Sequence, residues 1–120
     1  MKKFAKTHEW VEIDGGVATV GISQFAADEL KTLTYVELPE KGRAFAATEA
    51  FGSVESTKSA NEIFAPVGGT VCEVNMALET EPEMVNKDAE GTGWIIKLEN
   101  VDAANLENLM TKEDYLEFVK

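Results

Sequence analysis

Lys58 stands at the centre of Glu55-Ser56-Thr57-Lys58-Ser59-Ala60, between two runs that read as strands. Phe51-Gly52-Ser53-Val54 leads in and Ile63-Phe64-Ala65-Pro66-Val67-Gly68-Gly69 leads out, with only small or polar residues at the bend. A lysine on such a bend has no part in a core. Its primary amine is open to another protein's active site, which is what a covalent attachment point requires. A solvated surface lysine has the same local sequence, and most lysines are of that kind. The rest of the chain must decide between the two.

Other reactive groups are few. His8 is the one histidine, so no Ser-His or Cys-His pair can form except around it, and no nucleophile adjoins it in sequence. Gly91-Thr92-Gly93 lacks the further glycine and the lysine of a phosphate-cradling loop. Carboxylates are abundant, but no spacing singles out an acid/base pair. A single cysteine forbids an internal disulfide and argues against a zinc site. Alternation in Thr70-Val71-Cys72-Glu73-Val74-Asn75-Met76 predicts that Cys72 is a core residue beside Val74 and Met76. The chain reads as a carrier or binding module rather than an enzyme, with no metal.

The 120 residues carry 11 Lys+Arg against 22 Asp+Glu, a net charge of -11. That field disfavours nucleic acid and anionic membranes and suits partner proteins with basic faces; the same charge would keep a small protein soluble and monomeric. No stretch reaches the length of a membrane span, and the amino end lacks the apolar core of a signal peptide. The expected location is the cytoplasm, or an organelle matrix after processing.

Strands dominate the elements that must position Lys58. Trp10 to Ile13 and Val17 to Ile22 form a hairpin around Asp14-Gly15-Gly16. Ser23 caps a helix over Gln24 to Lys31 whose Phe25, Ala26 and Leu30 make an apolar stripe. Leu33 to Leu38, Thr48 to Ser56, Asn61 to Pro66, Gly69 to Met76 and Trp94 to Leu98 are further strands. Asp102 to Leu109 is a short helix, and Thr111 caps another bearing Tyr115, Leu116 and Val119. Gly15-Gly16-Val17-Ala18-Thr19-Val20 is echoed in Gly68-Gly69-Thr70-Val71-Cys72-Glu73-Val74, which suggests a pseudo-symmetric sandwich. No linker divides residues 1-120, so one domain is expected.

Taken in order, these segments resemble the H protein of the glycine cleavage system over nearly the whole length. The resemblance rests on His8-Glu9-Trp10-Val11, Val20-Gly21-Ile22-Ser23, Tyr35-Val36-Glu37-Leu38-Pro39 and Phe51-Gly52-Ser53-Val54-Glu55-Ser56-Thr57-Lys58. It continues through Ala65-Pro66-Val67-Gly68-Gly69, Glu73-Val74-Asn75, Pro82-Glu83-Met84-Val85-Asn86 and Gly93-Trp94. The chain departs from the family pattern at Thr57, where valine is usual, at Thr32-Leu33, where Gly-Asp is usual, and at Asp88-Ala89, where Asp-Pro is usual. Biotin carriers set their lysine between methionines, and Thr57 and Ser59 are not.

The resemblance implies a mainly β fold, a flattened barrel or sandwich of two β-sheets (a lipoyl-domain-like barrel-sandwich hybrid) with short helices, including a C-terminal one. It implies lipoate amide-linked to Lys58, and recognition of the chain by the lipoate-attaching enzyme through Glu55 and Gly69. It also implies that Glu9, Glu62 and Thr7 hold the aminomethyl-loaded arm, with both glutamates near the surface. The implied partners are a pyridoxal-phosphate glycine decarboxylase, a tetrahydrofolate-dependent aminomethyltransferase and dihydrolipoyl dehydrogenase. The implied role is carriage of the aminomethyl group of decarboxylated glycine between them. A divergent lipoyl relay or redox carrier for other lipoate-dependent enzymes would use the same Lys58.

Overall fold

The computed structural model describes residues 2–120. The chain opens with β1 (Lys3–Phe4), β2 (Glu9–Asp14) and β3 (Val17–Ile22). Between β2 and β3 lie Gly15 and Gly16, at φ of 60° and 81°. These values give the mirror-image turn whose twist suits a two-residue hairpin. Ser23 then caps α1 (Gln24–Leu30), its Oγ accepting from the Ala26 N–H at 3.1 Å. Next come β4 (Leu33–Glu37), β5 (Ala44–Phe45), β6 (Ala50–Ser56), β7 (Ala60–Phe64) and β8 (Gly69–Val74). A 3-10 turn at Met76–Glu79 leads to α2 (Met84–Lys87) and β9 (Ile96–Glu99). The stretch expected as a helix from Asp102 is 3-10 at Ala103–Asn108, followed by β10 (Met110–Thr111) and α3 (Lys112–Phe118). Thr111 caps α3 as its sequence predicts, accepting from the Asp114 N–H at 3.1 Å.

All pairings are antiparallel. One sheet runs β10-β1-β2-β3-β9-β8-β5 and the other β4-β6-β7. Between them Val11, Val20, Ile96 and Leu98 meet Leu33, Val36, Val54 and Ile63, all buried. Each such side chain contributes about 1.5–3 kcal/mol on leaving water. Phe4, Trp10 and Tyr115 form a second cluster, with the Phe4 and Tyr115 rings stacked at 4.6 Å, and fasten α3 to the larger sheet. No described helix is long and apolar enough to cross a membrane.

Three expectations need correction. Cys72 is half-buried rather than core: Val71 takes the buried position and Met76 is 60% exposed. The register against β9 shifts between Val71 and Glu73, and a bulge there moves the alternation by one residue. In α1 the fully buried residue is Ala27, not a member of the Phe25-Ala26-Leu30 stripe. The repeated sequence does not build two similar sheets, for β3 and β8 flank the same strand. Ala18 and Val71 both oppose Leu98, and Val20 and Val74 both oppose Ile96.

Candidate functional site

Lys58 sits on the turn joining β6 to β7. The turn closes with the Ser56 N–H on the Ser59 carbonyl at 2.8 Å. Neither Thr57 nor Lys58 has a positive φ, so this is not the mirror-image turn that Asn-Gly pairs make. Its stiffening comes from Ser56, whose Oγ accepts from the N–H groups of Lys58 and Ser59, both at 3.3 Å. Lys58 is exposed, and its amine has no ion-pair or hydrogen-bond partner among the described residues.

Beside β7 runs a groove of about 540 Å³. Asn61, Glu62 and Phe64 line one wall, and Phe25, Ala26 and Leu30 of α1 the other. The α1 stripe is therefore a groove wall. Asn86, from the resembling Met84-Val85-Asn86 segment, holds α1 there: its Nδ2 donates to the carbonyls of Ala27 (3.1 Å) and Lys31 (2.6 Å).

Glu9 lies at the foot of this groove and is only 2% exposed. That corrects its expected surface position. On β2 it shares the face of Val11, so the strand carries it inward at the end of the core row. A tight turn, with His8 at φ 82° and its N–H on the Ala5 carbonyl (2.9 Å), folds Thr7 back over it. One Glu9 oxygen accepts from Thr7 Oγ1, and the other accepts from the Phe64 N–H across the sheet gap at 3.1 Å. Burial raises its pKa above the usual carboxylate value, and the hydrogen bonds from Thr7 and Phe64 oppose that only in part. No lysine or arginine of the described residues pairs with it. Burial without a cation beside it favours the neutral carboxyl.

His8, which shows no reactive neighbour in sequence, contacts Tyr115 and through it Ser23, both at 2.6 Å. Ser23 is fully buried and its Oγ accepts from the Ala26 N–H, while either hydroxyl can donate in its contact with Tyr115. Burial lowers the His8 pKa, which favours the neutral ring. Sequence separations of 107 and 92 residues hide this chain of contacts from any local pattern.

The remaining candidates divide. Thr7 joins Glu9, and Glu62 is an exposed residue on the groove rim. Glu55 is exposed, paired across strands with Ala60 and Tyr35 next to the lysine turn. Gly69 is not with them. It pairs with Phe45 in the other sheet, and a Cβ there would stand 2.9 Å from the Glu99 carbonyl oxygen. Its glycine requirement is close packing against β9, not a turn. No cluster of three His, Cys, Asp or Glu side chains that could hold a metal occurs among the described residues.

Comparison with known proteins bears on this geometry. The family profile described as "Glycine cleavage H-protein" matches residues 2–120. A "Glycine cleavage system H protein" of Thermotoga maritima is 49% identical over 118 residues, spanning 98% of this chain and 95% of its own. One from Bacillus velezensis is 47% identical, spanning 98% and 93%. The crystal structure of a glycine cleavage system H protein from Mycobacterium marinum superposes with a TM-score of 0.87 at 32% identity, covering 97% of this chain and 94% of that one.

Proposed function

The chain belongs to the glycine cleavage H-protein family, and on that premise we propose that it is the lipoyl carrier of glycine cleavage, with lipoate on Lys58. The two-sheet, mainly β architecture with its C-terminal helix superposes on a solved structure of the family. When bound, lipoate supplies a disulfide that is reduced on taking up a one-carbon amine and later reoxidised. Residues 1–120 act as one monomeric, cytoplasmic carrier domain with no catalytic centre of their own. The partners are a pyridoxal-phosphate glycine decarboxylase, a tetrahydrofolate-dependent aminomethyltransferase, dihydrolipoyl dehydrogenase and the lipoate-attaching enzyme. Glu55 is a contact for that last enzyme. Gly69 serves it only indirectly, by fixing β8 against β9.

The observation that carries the reading is the combination of a free, exposed amine on the β6–β7 turn with a buried carboxylate in the groove beside β7 that has no cation partner among the described residues. Lys58 presents the attachment nitrogen. Glu9, aligned by Thr7 and Phe64, receives an ammonium out of water, where a charge-assisted bond is strongest. Glu62 adds negative charge at the rim. Intact mass with fragment mapping of protein from lipoate-replete cells tests the assignment: a lipoyl increment on Lys58 supports it, and an unmodified Lys58 or an increment elsewhere sinks it.

A further inference from the structure

His8 holds a left-handed backbone, at φ 82°, which a residue with a Cβ keeps only where its surroundings enforce it. Three contacts do so. Its N–H donates to the Ala5 carbonyl (2.9 Å), its carbonyl accepts from the Ser23 N–H (2.8 Å), and its ring meets the Tyr115 hydroxyl (2.6 Å). The first two are backbone bonds at the ends of β1, β2 and β3. The third reaches in from α3. The turn held in this way is the one that lays Thr7 over Glu9.

The same hydroxyl meets Ser23 Oγ at 2.6 Å, and Ser23 is the N-cap of α1, the helix that walls the groove. A second link runs beside it. Glu90 accepts from the Gln24 N–H at 2.9 Å and pairs with Lys112, the first residue of α3, at 2.8 Å. α3 thus grips the groove at two points, the start of its wall and the turn over its floor. Tyr115 is buried and its ring stacks on Phe4 at 4.6 Å, which fixes the hydroxyl against β1. We propose that Tyr115 is a positioning residue for the Glu9 site, holding the Thr7–His8 turn and the start of α1 at a fixed separation. It does not line the groove and acts through His8 and Ser23. The proposal rests on the lipoyl-carrier reading only for its consequence, retention of the loaded arm; the positioning itself is a property of the bare chain.

The test is Tyr115→Phe, which keeps the ring on Phe4 and removes the shared oxygen. Lys6, His8, Glu29 and Glu62 are the titratable groups that share the groove with Glu9, and Glu90 lies near Tyr115. The substitution replaces none of them, and tyrosine is uncharged over the carboxylate range, so a shift in the Glu9 titration reports its surroundings. In the unlipoylated chain, the Glu9 carboxyl carbon signal should titrate at a midpoint moved down toward the ordinary carboxylate value, because water reaches the side chain. Amide exchange at His8 and Ser23 should quicken about three- to tenfold. Val71→Ala, a core change in β8 away from the groove, shows what lost stability does alone: easier urea unfolding with the Glu9 midpoint unmoved. In the lipoylated Tyr115→Phe protein, attachment should be unchanged and ammonia release from the loaded arm about three- to tenfold faster. A Glu9 midpoint and amides unmoved by Tyr115→Phe would overturn the proposal and leave the carrier reading standing. Failure of the unaltered chain to take lipoate would remove that reading, while the titration still decides the role of Tyr115. If Tyr115→Phe does not fold, Ser23→Gly, a change an N-cap tolerates, breaks the contact from the α1 side, and an unmoved Glu9 midpoint there overturns the proposal equally.

Discussion

The hairpin tip and the groove floor hold their functional side chains by opposite means. At the tip, Lys58 is positioned by bonds among four consecutive residues, and its amine stays in water. At the floor, Glu9 is positioned by Thr7 and by Phe64, 55 residues away on the other sheet, and is nearly sealed from water. An attachment point needs access, which one turn supplies. A holding point needs dryness, which only two packed sheets supply. Attachment and retention should therefore respond differently to substitution and to pH.

The sharpest break is Lys58→Arg. It keeps the charge but removes the primary amine that forms the amide. The expected product is a folded protein without a lipoyl group and without activity in a coupled glycine-cleavage assay; lipoate found on another lysine would refute the site.

At the floor, Glu9→Gln keeps the shape and loses the charge. A charge-assisted bond in a shielded site is worth about 1.5–3 kcal/mol, so ammonia release from the loaded arm should quicken by roughly tenfold to a hundredfold. Lipoylation itself should be untouched. Glu62→Gln, at the exposed rim, should change the same release rate far less. Equal effects of the two would erase the distinction between floor and rim.

Stability should separate the regions as well. Glu9→Ala leaves the Phe64 N–H unpaired across the sheet gap and should cost about 1–3 kcal/mol in urea unfolding. Ser56→Ala removes only turn bonds. It should leave global stability nearly unchanged while the Lys58 and Ser59 amides exchange several-fold faster, as a local opening does.

The smallest expected effect is on pH. The folded pKa of Glu9 is raised, so its contribution to stability is full below the ordinary carboxylate pKa and is lost as pH rises through the raised value. His8 has the opposite sign. Its folded pKa is lowered, so its contribution is present above the ordinary imidazole pKa and is lost as pH falls through the lowered one. Glu9→Gln should flatten the unfolding free energy in the first window and His8→Gln in the second. Retention of the loaded arm should improve as pH rises through the Glu9 pKa, because only the carboxylate pairs with ammonium.

The tip was legible because its determinants are local: Ser56, Thr57 and Ser59 between two strand-forming runs announce a turn, and the caps at Ser23 and Thr111 follow from the same short-range rules. Burial of Glu9 left a trace in the alternation that puts it on the face of Val11. That trace was outweighed by the ordinary expectation that a glutamate is exposed. The α1 stripe carried the right periodicity but not the identity of what it faces, and Cys72 was misplaced by a bulge that no residue type marks.

The sequence by itself determined the longer strands, their turns, the exposed lysine and, through the order of its motifs, the family, but not the two-residue strands β1, β5 and β10. Those depend on contacts a few residues long or on patterns that accumulate along the chain. Tertiary structure alone decided which carboxylate is dry, that Phe64 turns its N–H to Glu9, and that His8, Tyr115 and Ser23 form one hydrogen-bonded chain. Burial and pKa depend on everything that packs around a group, and that environment is assembled from both sheets and the C-terminal helix.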